Sequence, residues 1–378
     1  MHNLGKTMSR EQALIEEVLK PIDVKINGDR PWDIQVKDPR VFKRIAASGS
    51  LGFGESYMDG WWECDQLDEL ISRLMAARVR EHFRFNLPMA LFFAKAFLTN
   101  AGKRSKAFEI GERHYDVGND LYKLMLDKRM VYTCAYWKNA TTLDEAQEAK
   151  LDLVCRKIGL KAGDKVLDIG CGWGSFARYA AEKYGAKVVG ISVSKEQIEL
   201  AREMHKGFDV EFRLQDYRDV NEKFDHIISL GMFEHVGYKQ YREYMEIVHR
   251  NLKDDGLFLL HTMGHIKTMT NSDPWIDKYI FPNSLLPYIT QIGKSTEKLF
   301  VMEDWHNFGA DYDTTLMAWF KNFDNEWPQL KEKYGEKFYR MWKFYLMVFA
   351  GNFRCRNLQL WQIVFSKNGI RGGYQSVR

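Results

Sequence analysis

The chain has 378 residues, 45% of them hydrophobic and 28% charged, with a net charge of only +4. That is room for two or three folded domains with a substantial core, and a charge balance that points to no nucleic-acid partner. The five cysteines (Cys64, Cys134, Cys155, Cys171, Cys355) are odd in number and contain no C-x-x-C pair, so neither a disulfide framework nor a zinc site is expected.

The opening "MHNLGKTMSREQ" lacks the apolar stretch of a signal peptide. No apolar run approaches the about 20 residues of a membrane span. A reducing cytoplasm is the expected compartment. Residues 11 to 75 read as short helices with turns. Within them "GESYMDGWWECDQLDEL" (54 to 70) places Tyr57, Trp61 and Trp62 around Gly60, as in the core of a small helical domain. From Arg73 to Lys106 eight Lys/Arg face a single acid, Glu81, interleaved with Phe83, Phe85, Leu91, Phe92, Phe93, Phe97 and Leu98. These are too many apolar residues for a solvated face and too many bases for a buried helix. The mixture suits a segment lying on an anionic membrane, or an interdomain helix with its bases in water. The Gly/Lys/Ser turn near 102 to 106 marks the expected boundary between an N-terminal helical domain (1–106) and a catalytic domain (107–378).

From residue 141 the rhythm changes. Thr142 and Glu145 form a capping box, and Leu143, Ala146, Ala149, Leu153 and Ile158 mark one helical face. Strands are expected at 165 to 169, 187 to 191, 210 to 214, 225 to 230 and 256 to 262, with helical stretches between them. This alternation predicts an α/β fold, an open and mostly parallel sheet with helices on both faces.

The first of these strands runs into "VLDIGCGWG". Glycines after a strand let a ligand touch backbone at a helix N-terminus, but the spacing of Gly170, Gly172 and Gly174 is G-x-G-x-G, not the dinucleotide G-x-G-x-x-G. The second strand ends without the ribose-binding acid, and no G-K-[ST] follows, so a P-loop is excluded. S-adenosylmethionine remains. It has no phosphates and carries a sulfonium cation, which suits Asp168 beside the loop. Gln215 and Asp216, after the third strand, suit the adenine amino group, with Tyr217 to cover the ring.

Seven stretches then resemble one family, the bacterial cyclopropane-fatty-acyl-phospholipid synthases: "GESYMDGWWECDQLDEL", "RHYDVGNDLY" (113 to 122), "TCAYW" (133 to 137), "VLDIGCGWG", "GMFEHVG" (231 to 237), "FLLHTMG" (258 to 264) and "DWHNFGADYDTTLMAWF" (304 to 320). The resemblance runs from about residue 22 to the last residue. It implies a Rossmann-like methyltransferase fold with a seven-stranded sheet and a small helical N-terminal domain. It implies attack of a cis double bond, in an acyl chain of a membrane phospholipid, on the methyl group of S-adenosylmethionine. The resulting cation loses a proton from that methyl and the ring closes, leaving S-adenosylhomocysteine. By the same resemblance Cys134, Glu234, His261, Tyr312 and the Met263 backbone surround a bicarbonate ion that takes the proton. Tyr132, Thr133, the 170–174 loop, Ser192, Gln197 and Gln215 to Tyr217 bind the methyl donor. A homodimer, peripheral at the cytoplasmic face of the inner membrane, is also implied.

The residues suit that chemistry. An alkene is a poor nucleophile, so positioning carries much of the rate. A hydrocarbon cation calls for negative charge or aromatic faces and a dry site. Taken singly, His261 and Tyr312 read as core residues and Cys134 as a small buried hydrophobe; the motifs reverse that. His261 and His265 lie four apart without H-E-x-x-H, so no metal is expected. Two competing readings are a methyltransferase acting on a small molecule or lipid headgroup, and a non-catalytic membrane-binding protein of the same fold.

Overall fold

The structure, a computed structural model, describes residues 9–77, 118–269 and 271–378. The expected boundary at 106/107 lies outside them. The chain forms two compact units, and neither is one continuous stretch. The first comprises the residues up to Leu121 with Asp273–Pro282 and Trp319–Asn357; the second comprises Tyr122–Ser272, Asn283–Ala318 and Leu358–Arg378. Two consecutive domains were expected, but the chain returns to the first unit twice.

The first unit is mainly helical. Helices α1 (Arg10–Leu19), α2 (Arg40–Met58) and α3 (Leu67–Ala76) are joined by a minimal antiparallel pair, β1 (Gln35–Val36) with β2 (Trp62–Glu63). Ser9 caps α1 by accepting from the Gln12 N–H at 3.1 Å. Gly60, at φ +72°, turns the chain out of α2 so that Trp62 swings inward. There Trp62 is fully buried, stacked on Phe53 with ring centres 4.3 Å apart and flanked by Tyr57 at 5.0 Å. Of the three aromatics expected in this core, Trp61 stays at its edge, under the guanidiniums of Arg40 and Arg44 at 4.6 and 4.9 Å. Arg73, the first base of the basic-aromatic segment, donates to Glu69 at 2.8 Å and lies 4.2 Å over Trp32, so it is committed to its own unit. The rest of that segment, from Arg78 to Lys106, lies outside the described residues.

The second unit carries the sheet. Helix α4 (Leu143–Lys157) starts at the expected capping box, and β3 (Lys165–Ile169), α5 (Ser175–Tyr184), β4 (Lys187–Ser192), α6 (Lys195–Met204), β5 (Val210–Leu214), β6 (Phe224–Leu230), α7 (Tyr241–Asn251) and β7 (Leu252–His265) follow in alternation. Strand β8 (Val301–Asn307), the long helical run α8 (Ala310–Arg354) and β9 (Leu358–Ser366) come after them. Gly335, at φ +76° and ψ 164°, breaks the helical run. The sheet order is β5-β4-β3-β6-β7-β9-β8. Neighbours from β5 to β7 are parallel, and β9 runs antiparallel between β7 and β8. The central strands are buried on both faces, as their continuous apolar runs require. One cluster, including Phe176, Val188 and Phe212, packs one face; another, including Phe224, Tyr244 and Phe258, packs the other.

All five strands expected from the sequence are present. β7 is longer than expected, because its exposed start, Lys253 to Asp255, reads as a turn. Among the described residues no helix is long and apolar enough to cross a membrane.

Candidate active site

In an open parallel sheet the strand carboxyl ends form the ligand-binding edge, beside the point where strand order reverses. Here that point lies at β3, between β4 and β6. The glycine loop leaves β3 there. Gly170, Gly172 and Gly174 all have positive φ, between 55° and 82°. At Gly170 an added Cβ would lie 2.6 Å from Met232, and at Gly174 2.4 Å from the Phe212 ring, so both are needed for packing as well as for conformation. Gly172 differs: nothing lies within 4 Å of its missing Cβ, so its backbone faces open space that a ligand can occupy. Asp168, one residue before the β3 end, is 2% exposed, and burial pushes its pKa up to about 7 against the pull of Lys150.

At the tip of β4 the Ser192 hydroxyl meets Gln197 Oε1 at 3.1 Å and accepts from the Ser194 N–H. The Gln215 N–H donates to the Ser192 carbonyl at 3.0 Å, which brings the ends of β4 and β5 together. Asp216 caps the following turn through Arg218 N–H at 2.9 Å. Tyr217 is turned inward. Its ring is buried, edge-on to Tyr244 at 5.1 Å, so it supports the region from within the core. The exposed apolar side chains beside it are Leu214 and Val193.

Glu234 sits in a single helical turn after β6 and is 2% exposed. Its Oε1 accepts from the Met263 backbone N–H of β7 at 2.7 Å, while Oε2 is buried with no hydrogen-bond partner among the described residues. Burial pushes its pKa up to about 7, opposed by that backbone N–H. Met263 thus acts on the site by holding this carboxyl. Two residues earlier on the same face of β7, His261 is 1% exposed. Its carbonyl accepts from Gly231 N–H at 2.9 Å. Gln362 Nε2 lies 3.3 Å from its Nδ1; with the amide donating, the ring hydrogen sits on Nε2, which is buried and has no hydrogen-bond partner among the described residues. Burial first, then the positive charges of Lys150 and Lys157, hold His261 neutral, well below the usual imidazole range.

Cys134 and Tyr312 join through the loop that follows Thr133. Ala135 N–H donates to Thr315 Oγ1 at 3.1 Å, and Trp137 N–H to the Asp311 carboxylate at 2.7 Å. Both acceptors lie on the first turns of α8, the turns that carry Tyr312. Cys134 is fully buried, which raises its thiol pKa well above the ordinary value, so it is a neutral group. The two halves of the site abut at Gly231, where an added Cβ would meet the Thr133 methyl at 2.7 Å. Tyr132 stands edge-on to Tyr122 at 5.1 Å, and Tyr122 in turn lies 4.9 Å from Trp173 in the glycine loop. Aromatic rings line up behind His261, with Phe308 at 6.0 Å and Tyr136 at 5.3 Å from Phe308.

A family model described as mycolic acid cyclopropane synthetase matches residues 102–363. The chain belongs to this family. It is 52% identical over 365 residues to the cyclopropane-fatty-acyl-phospholipid synthase of Escherichia coli, covering 97% of this chain and 95% of that one. Among solved structures, the cyclopropane synthase MmaA2 from Mycobacterium tuberculosis aligns with a TM-score of 0.63 at 30% identity, over 69% of this chain and 98% of that one. The mycolic acid cyclopropane synthase CmaA1 complexed with SAH and CTAB aligns with a TM-score of 0.62, also at 30% identity, over the same 69% and 98%.

In this member of the cyclopropane synthetase family three polar side chains of the candidate site escaped the sequence reading. Gln147 and Lys150 are fully buried on the inner face of α4, and Gln362 is fully buried on β9. Gln147 Nε2 donates to the Thr133 carbonyl at 2.8 Å, and Lys150 Nζ to the Thr133 hydroxyl at 2.8 Å. A signal was present for two of them: Gln147 and Lys150 fall among the apolar positions of the α4 stripe, where a polar residue needs a partner. Gln362 offered none, since its partner is 101 residues away.

Proposed function

We propose that the protein is a cyclopropane-fatty-acyl-phospholipid synthase. It joins the methyl carbon of S-adenosylmethionine to a cis double bond in an acyl chain of a membrane phospholipid. The sulfur–carbon bond breaks, the former methyl loses a proton, and the ring closes, giving a cyclopropane acyl phospholipid and S-adenosylhomocysteine. The observation that carries this reading is the pair of buried polar atoms, Glu234 Oε2 and His261 Nε2, that have no hydrogen-bond partner among the described residues and sit at adjacent strand ends beside the glycine loop. A buried polar atom without a partner is costly, so such a pair calls for a polar occupant.

The residues fit both implied groups. The open face at Gly172, with Asp168 behind it, suits the methyl donor, which supplies an electrophilic methyl group when bound. A neutral His261 donating from Nε2 and a Glu234 carboxyl that shares a proton near neutral pH suit a small oxyanion such as bicarbonate, which supplies a base when bound. Cys134 and Tyr312 close the same region with uncharged groups. The protein's own part is to keep water out, hold the acyl chain in line with the methyl, and fix the proton acceptor; trapped water would turn the hydrocarbon cation into an alcohol.

The substrate lies in a hydrocarbon layer about 30 Å thick, so the enzyme must dock on the surface and draw the chain in. The basic-aromatic segment 73–106 supports peripheral docking on the anionic inner membrane. A homodimer belongs to the same proposal on the resemblance alone.

The test is incubation of the purified protein with methyl-labelled S-adenosylmethionine and vesicles of unsaturated phospholipid, read by lipid mass spectrometry. The expected product gains one CH2 per converted chain and loses its double bond. A labelled headgroup would favour a headgroup methyltransferase, and unlabelled lipid would sink the enzymatic reading. In degassed buffer the rate should fall and return with added bicarbonate; indifference to bicarbonate would make Glu234 or His261 the base.

A further inference from the structure

A fully buried lysine is rare, and Lys150 of α4 is 0% exposed. Its ammonium donates to the Thr133 hydroxyl at 2.8 Å, and its charge acts on Asp127, Cys134 and Asp168. Asp127 is 4% exposed and accepts from the Val131 N–H at 2.8 Å and the Arg129 N–H at 2.9 Å. Three residues before Lys150 on the same helical face, Gln147 donates to the Thr133 carbonyl at 2.8 Å. Thr133 is therefore gripped on its side chain by Lys150, on its backbone by Gln147, and on its methyl by the turn at Gly231. The stretch entering this grip is itself unusual: Met130, not a glycine, sits at φ +57°. A backbone held in that region without a glycine needs surrounding contacts to keep it there.

We propose that Lys150 is a positioning residue for methyl transfer: its buried ammonium, hydrogen-bonded to the Thr133 hydroxyl, sets the posture of the Tyr132–Cys134 segment and places a positive charge in the field of Asp127 and Asp168 beside the donor loop. This rests on the reading of the site as one that binds S-adenosylmethionine. With all three ionised, Lys150, Asp127 and Asp168 sum to one negative charge, which suits a cationic ligand. Without Lys150 each of the two buried carboxyls would lose the cation whose field favours its ionised form, and would take up a proton more readily. Repulsion between Lys150 and the sulfonium works the other way, but the ammonium is already hydrogen-bonded to Thr133.

The direction of the pH effect follows. The groups facing Asp168 are Lys150, Cys171 and Tyr244. Lys150 alone among them is a cation; burial lowers its own pKa to about 8, so it is charged on the acid side of the profile, where it opposes the effect of burial on Asp168, whose pKa lies at about 7. Affinity for a cation is full when Asp168 is ionised and declines as pH falls through its pKa. Removing Lys150 raises that pKa, so the decline should begin at higher pH.

Calorimetric titration of the full chain with S-adenosylmethionine across pH 6 to 9 tests this. Lys150→Met should weaken binding by about tenfold, the size of one lost charged hydrogen bond, and move the acid limb of the binding profile to higher pH. Lys150→Arg should restore the wild-type limb in part. Gln147→Leu, which removes the carbonyl contact and keeps the ammonium, should weaken binding without moving the limb. Should Lys150→Met not fold, Thr133→Val keeps the shape, removes the hydroxyl partner and should still lower affinity. Wild-type affinity and an unmoved limb in a folded Lys150→Met, or wild-type affinity in Thr133→Val, would overturn the assignment. A wild type that fails to bind S-adenosylmethionine would instead overturn the proposed function.

Discussion

Glu234 shows how a single residue couples chemistry to stability. Its carboxyl has a pKa of about 7 in the folded protein against an ordinary 4.5, because burial outweighs the hydrogen bond from Met263. Between those values the folded state holds a proton that the unfolded chain releases, so stability is full below about pH 4.5 and declines as pH rises through 7. Glu234→Gln removes the titration and can still accept from Met263. Thermal unfolding should therefore show the variant gaining on wild type at pH 8 and not at pH 4; equal curves at both pH values would mean the carboxyl is not buried in solution. For turnover, Glu234→Ala and His261→Ala should each lose about 10²–10⁴ in kcat, the range for a positioned proton-transfer group, with little change in affinity for S-adenosylmethionine. Cys134→Ser should be milder, since a hydroxyl can replace a neutral buried thiol. The candidate residues were legible through motifs, because Glu, His, Tyr and Cys by type alone read as core. The support from Gln362 was not: it meets His261 from 101 residues away in sequence, which no local pattern records.

Among the elements, those with a continuous apolar run were the easiest to read. β3, β4 and β6 appear within one residue of expectation because their buried stretches need apolar residues; β5, "VEFRL", is an edge strand that shows instead the alternation of apolar and charged residues. β8, "VMEDWHN", is an edge strand with two adjacent acids and no regular apolar alternation, so its pattern alone does not distinguish it from a loop. The glycine loop is the element with the sharpest test. Gly172 has φ +55° and open space where a side chain would go. Gly172→Val should cost about 1–3 kcal/mol of backbone strain and abolish binding of S-adenosylmethionine while the sheet persists. Circular dichroism with calorimetry separates the two effects; a folded variant with wild-type affinity would remove this loop from the site.

At the scale of the whole molecule, two compact units share one chain in alternation, so neither can be cut out as a simple terminal fragment. The helical character of the first unit was legible from its short amphipathic stretches. Its later pieces, Asp273–Pro282 and Trp319–Asn357, were not, because they belong to it through long-range packing: Trp275 fills the space beside Gly54, and Phe344 packs on Tyr57 at 5.4 Å. The proposed docking on a membrane belongs to this scale. Neutralising Arg78, Arg80 and Arg84 together should weaken binding to anionic vesicles, at about 1 kcal/mol per base near the surface, and leave affinity for S-adenosylmethionine unchanged. Unchanged co-sedimentation with vesicles would return the segment to an interdomain role.

Strand β9 lies between β7 and β8, although it follows both in the chain. Gln362, which orients the His261 ring, sits in its middle. During synthesis, at about 5–20 residues per second, strand β7 must wait for roughly the last hundred residues before its second neighbour arrives. Until then its apolar edge is open and His261 has no fixed tautomer. The sheet is thus closed and the His261 ring held by the same late event, so a nascent or prematurely ended chain lacks both.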